Sequence, residues 1–195
     1  MVRDLRSKTG AGIMACKEAL NESDGDFDKA VEFLRKKGLK TAEKRSDRSA
    51  GEGTIHAYIH PGSKVGVLLE LNSETDFVAR GNDFQKVAQE IAMHIAWAAP
   101  RFLAREDVPE SVLSSEREIY RSQIKPEQQK MAEKIVEGKL EKFFAENCLL
   151  EQLDARDPSG KRTIAELIQE LSGKVGERIV LKRFARFALG DEPVK

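Results

Sequence analysis

The chain has 195 residues, of which 40% are hydrophobic and only 6% aromatic, and its 33 Lys and Arg balance its 33 Asp and Glu. That length allows one domain, or one domain with a small satellite, and enough apolar residues for a core without disulfides or a structural metal. Zero formal net charge excludes a strongly basic nucleic-acid binder or an acidic decoy as a description of the whole chain.

The two cysteines, Cys16 and Cys148, lie far apart with no CxxC spacing. They read as separate buried thiols of a reducing compartment. The start, Met1-Val2-Arg3-Asp4, carries no apolar signal segment, and the longest apolar run, 65–71, is far short of the ~20 residues a membrane span needs. The expected location is the cytoplasm.

Residues 1–38 read as three short helices. Val2 and Leu5 form a first small stripe, which ends at Thr9-Gly10-Ala11-Gly12. Ile13, Met14, Cys16, Ala19 and Leu20 then recur at helical spacing. Asp26 can cap a third helix carrying Phe27, Ala30, Val31 and Leu34, and Gly38 after Arg35-Lys36-Lys37 reads as its stop. Residues 39–53, with Lys40, Lys44, Arg45 and Arg48, read as a solvated linker. A basic contact to RNA or to an acidic partner is the alternative.

At residue 54 the period changes to two. Ile55, Ala57 and Ile59 alternate with Thr54, His56, Tyr58 and His60, as in a strand with one buried face. Pro61-Gly62-Ser63 is turn chemistry, and 65–71 reads as a more fully buried strand, giving a hairpin. A helix with Phe84, Val87, Ala88, Ile91 and Ile95 on one face follows, capped by Asn82 or Asp83 and ended by Pro100. Further helices are expected over 108–147, with Pro126 in a first turn and Gly138 as a break. Thr163-x-x-Glu166 is a capping box before Ile164, Leu167, Ile168 and Leu171, and 176–189 reads as a last strand. The fold class is α+β: a three-helix domain over 1–38, a linker over 39–53, and a core over 54–195 with a small sheet of about three strands.

Catalytic signatures are lacking. The chain has no P-loop, GxGxxG, HExxH or GxSxG, and its carboxylates interleave with Lys and Arg at helix spacing. His56 and His60 are about 13 Å apart on an extended strand, too far to share a metal. No cofactor, no metal and no enzyme activity are expected. A metal enzyme resting on three unconnected histidines is the weakest reading, behind an RNA- or ribosome-binding module resting on the basic stretch 35–48. The most unusual local feature is Thr75-Asp76-Phe77-Val78, at a strand-to-helix junction where binding groups are often presented. Asp76 could instead close a capping box with Ser73, and Phe77 could be core.

Several long stretches, in order, resemble the elongation factor Ts family of translation factors. They include Lys8-Thr9-Gly10-Ala11-Gly12-Ile13-Met14-x-Cys16-Lys17, Leu69-Glu70-Leu71-Asn72-x-Glu74-Thr75-Asp76-Phe77-Val78-Ala79-Arg80, Ile91-Ala92-Met93-His94-Ile95-Ala96 and Cys148-Leu149-Leu150-Glu151-Gln152. The resemblance implies a guanine nucleotide exchange factor for the GTPase elongation factor Tu, with an N-terminal ubiquitin-associated-like domain. It implies that Thr75, Asp76, Phe77 and Val78 disturb the GTPase magnesium site. It places Arg6, Ile13 and Met14 on the bundle surface that meets the GTPase, and His60 against another of its domains. Longer members carry the core twice, so this single-core chain is expected to act as a homodimer that binds two GTPases. Neither a membrane nor a direct nucleic-acid role is expected.

Overall fold

A computed structural model describes residues 1–43, 45 and 47–191, with the side chains of 39–43 outside that description. The chain begins with α1 (Val2–Thr9), α2 (Ile13–Glu22) and α3 (Phe27–Glu43). Leu5, Cys16, Ala19, Leu20 and Ala30 form their small buried core. Asp26 caps α3 as expected, its Oδ1 accepting from the Lys29 and Asp28 amides at 3.0 and 3.1 Å.

Gly38 does not stop α3. The helix runs through it to Glu43, because packing against α8 overrides the local stop signal. The Gly38 backbone lies against Gly173, where an added Cβ would stand 3.2 Å from the Gly38 Cα. The close approach restricts Gly173, while a Cβ on Gly38 would meet nothing within 4 Å. Of the linker cations, Arg45 donates to the Ser172 carbonyl (3.0 Å) and Arg48 pairs with Glu74 (3.3 Å). The Lys40, Ala42 and Lys44 side chains lie outside the described residues.

The sheet is antiparallel throughout, in the order β1 (Glu52–Ile59), β2 (Val65–Ser73), β3 (Val180–Ala188). Its inner face carries Val67, Leu69, Leu71 and Leu181. On this face lie α5 (Asn82–Ala98), whose N-cap is Gly81, and α8 (Ile164–Val175). Phe84, Ala88, Ile91 and Ile95 complete the layer from α5, and Ile164, Leu167, Ile168 and Leu171 from α8. The Thr163–Glu166 box forms in full: the Thr163 amide donates to Glu166 (3.0 Å) and the Glu166 amide to Thr163 Oγ1 (3.2 Å).

The sidedness of β1 is the reverse of the sequence expectation. Thr54, His56 and Tyr58 face inward, while Ile55, Ala57 and Ile59 face out. Nor is β2 buried on both faces, since Leu68 points outward between buried Val67 and Leu69. The register stacks Ile59, Gly66 and Phe187 in one outer row and Ala57, Leu68 and Ala185 in the next. A third row holds Ile55 beside the ion pair of Glu70 with Arg183 (2.7 Å). Ile59 and Phe187 are 64% and 65% exposed, so the sheet presents an apolar outer face with charges at one end.

The remaining helices are α6 (Glu110–Ser122) and α7 (Ala132–Asn147). Pro126 opens a short 3-10 turn, and Gly138 does not break α7 but sits within it. Cys16 and Cys148 are free, separate and buried, as expected. No helix among the described residues is long and apolar enough to cross a membrane.

Candidate partner-docking site

Strand β2 delivers the chain to Ser73, which is still paired with Glu52 and fully buried. Its hydroxyl therefore turns inward and donates to the Thr75 carbonyl (2.8 Å). The box between Ser73 and Asp76 does not form. The cap is Thr75, whose hydroxyl accepts from the Val78 amide at 3.4 Å as α4 (Asp76–Ala79) begins. In this single turn Val78 and Ala79 face the core, and Phe77 stands outward with 85% of its surface exposed. Phe77 is thus surface, not core. Asp76 is also exposed and ion-pairs with Arg80 one turn on (2.9 Å).

The segment is held by the loop after α8. Glu177 Oε1 accepts from the Thr75 hydroxyl (2.6 Å) and Oε2 from the Thr75 amide (3.0 Å). In return, Glu74 Oε1 accepts from the Arg178 amide (2.7 Å). That amide, more than Arg48, holds the Glu74 carboxyl below its ordinary value. Glu74, Glu177 and Arg178 were not visible as site residues in the sequence, because the loop that pairs with residues 74 and 75 is 102 to 104 positions away.

The second group of expected contact residues flanks one turn of the N-terminal bundle. Arg6 lies in α1, four residues before left-handed Gly10 (φ 70°), and Ile13 and Met14 open α2. All three are exposed, Met14 at 75%. His60 follows β1, exposed, with its amide donating to Val65 (2.9 Å) and its Nδ1 2.9 Å from the Tyr58 hydroxyl. At ~3.3 Å per residue the nine residues of β2 span about 26 Å. His60 and Phe77 lie at opposite ends of that hairpin and are not brought together within one subunit.

The histidines have separate partners: Gln89 for His56, Tyr58 for His60 and Gln152 for His94. Among the described residues no group of three or more His, Cys, Asp or Glu is placed to hold a metal.

A braced, outward-pointing phenylalanine, an exposed helix start and an apolar sheet face mark this as an α+β scaffold that presents side chains on its surface. The sequence comparisons give that scaffold its family. The family profile described as "Elongation factor TS" matches residues 15–190. The Elongation factor Ts of Moorella thermoacetica is 53% identical over 194 residues, covering 97% of this chain and 94% of that protein. That of Thermotoga neapolitana is 52% identical, covering 98% and 96%. That of Thermodesulfovibrio yellowstonii is 54% identical, covering 98% and 95%. The chain belongs to the elongation factor Ts family.

Proposed function

We propose that this protein is a guanine nucleotide exchange factor for elongation factor Tu, working in the cytoplasm during translation elongation. The observation that carries the reading is Phe77, 85% exposed on a turn fixed from both sides. A large aromatic left in water on a braced turn is poised to gain by burial in a partner.

The mechanism follows from linkage. A factor that binds best to the empty GTPase must weaken nucleotide to the same degree. Burying Phe77 supplies roughly 1.5–3 kcal/mol, enough for about one to two decades in nucleotide affinity. Asp76, Thr75 and Val78 share the turn and meet the same magnesium-site region. Arg6, Ile13 and Met14 on the bundle add a second contact. The factor makes and breaks no bond, needs no cofactor, and is not an enzyme.

The active form is a homodimer joined through the outer sheet face. The apolar rows around Leu68 and Phe187 lie beside the Glu70–Arg183 pair, a pattern that suits self-association about a two-fold axis. Because His60 and Phe77 lie at opposite ends of the hairpin, one GTPase meets Phe77 of one subunit and His60 of the other. Two GTPases bind per dimer. The basic residues Arg45 and Arg48 are engaged by the core, which favours a protein partner over RNA.

The test is direct: adding the protein to elongation factor Tu loaded with labelled GDP should accelerate GDP release. Release at the spontaneous rate, with no complex on gel filtration, contradicts the reading.

A further inference from the structure

The turn that presents Phe77 is only four residues long, and an isolated helical turn of that length has no stability of its own. Something outside it must hold it. Val78 and Ala79 anchor it on the core and the Ser73 hydroxyl and Gln85 bond its backbone, but the donors of its cap are held by one side chain. Glu177 follows Gly176, which closes α8 in the left-handed conformation (φ 81°). Its two carboxylate oxygens take both donors of Thr75, the amide and the hydroxyl. The hydroxyl can then offer a lone pair only to the Val78 amide, which is the bond that starts the turn. Glu177 is itself anchored, because its carbonyl accepts from the hydroxyl of buried Ser172 (2.5 Å).

We infer that Glu177 is a positioning residue of the exchange site: by clamping Thr75 it keeps the Asp76–Ala79 turn formed, and Phe77 projecting, before the partner arrives. The inference deepens the exchange-factor reading and rests on it. Its physical basis is preorganisation. A turn already ordered in the free protein does not have to be ordered during binding, so more of the Phe77 contact appears as affinity for the empty GTPase. The clamp also ties the two contact surfaces to one strut. The bundle docks on the same α8, through Arg35 to Glu166 and Glu170 (2.7 and 2.8 Å) and through Gly38 against Gly173. The helix that carries the bundle thus leads, two residues past its end, into the residue that sets the Phe77 turn.

Hydrogen exchange on the free protein, read beside GDP release, tests the inference. In Glu177→Ala the amides of residues 78–80, which bond to Thr75 and Asp76, should lose about tenfold in protection while the sheet amides keep theirs. GDP release stimulated at limiting factor should fall about fivefold to tenfold, as the preformed turn becomes a minor fraction of the free protein. Glu177→Gln keeps an acceptor for the Thr75 amide and should restore part of both. In a Phe77→Ala background, Glu177→Ala should cause no further loss of release, because Glu177 acts only through that turn. Native protection in Glu177→Ala overturns the inference whatever the GTPase does. So does lost protection with full exchange activity, or a further loss in the Phe77→Ala background. A wild type that fails to stimulate release overturns the exchange reading itself, and the role given to Glu177 with it.

Discussion

Gly38 and Gly173 meet where α3 crosses α8, and the tight position is Gly173: a Cβ there would lie 3.2 Å from the Gly38 Cα and 3.4 Å from its carbonyl oxygen, whereas a Cβ on Gly38 would meet nothing within 4 Å. Backbone atoms cannot rotate aside, so Gly173→Val must push the helices apart. The expected cost is about 1–3 kcal/mol, seen as a lower melting temperature and as an increased radius of gyration in solution scattering. Arg35→Ala, which removes partly exposed ion pairs at the same crossing, should cost only about 1 kcal/mol. An unchanged melt for Gly173→Val would mean that the bundle does not dock there in solution.

Gly138 offers the opposite outcome. It lies inside α7, exposed, with nothing within 4 Å of an added Cβ. Gly138→Ala should stabilise the protein by about 0.5–1 kcal/mol, by restricting the unfolded chain and improving helix propensity. Chemical denaturation measures this, and a destabilised variant would contradict the helix assignment.

His94 sets a pH limit. It is buried in α5, where its Nε2 donates to Gln152 Oε1 (2.9 Å) and its Nδ1 lacks a partner among the described residues. Burial holds its pKa below the ordinary 6.5, and this outweighs the opposing effects of Gln152 and Asp154. The unfolded chain therefore binds the proton first as the pH falls through 6.5, so stability is full above that value and declines below it. Urea midpoints at pH 7.5 and 5.5 should drop more for the wild type than for His94→Gln. Trp97, the only tryptophan and edge-on to His94 at 6.1 Å, reports the transition by fluorescence. Equal drops in the two proteins would remove His94 as the cause.

The proposed dimer is tested at Phe187, which stands on the outer sheet face at 65% exposure. Phe187→Asp should leave the subunit folded and produce monomers at micromolar concentration in sedimentation equilibrium, because two carboxylates desolvated near the axis cost several kcal/mol. A wild type that is itself monomeric, or a variant that stays dimeric, would refute this interface.

Much of the fold is legible in the sequence because it is written locally. The period change at residue 54, the Asp26 cap and the Thr163–Glu166 box all report on residues within a few positions of one another, and each forms in the structure. The misread features depend on distant partners. Gly38 carries the same local signal whether it stops a helix or lies within one that packs against Gly173, and only the fold distinguishes the two. Alternation in β1 shows that Ile55 and Ile59 share a face, but not which face meets the protein's own core. At the site, Thr75-Asp76-Phe77-Val78 stood out by its junction position, whereas Glu177 had no local signal to mark it.

The most direct test of the account is the rate of GDP release from elongation factor Tu, followed by stopped flow with a fluorescent nucleotide, with wild-type protein and with Phe77→Ala. The substitution touches a side chain that is 85% exposed, so the melting temperature should hardly move, as for most surface changes. Stimulated release should nevertheless slow by about tenfold to a hundredfold, the equivalent of the roughly 1.5–3 kcal/mol of aromatic burial removed. A Phe77→Ala protein that releases GDP as fast as wild type would contradict the claim that this side chain drives the exchange.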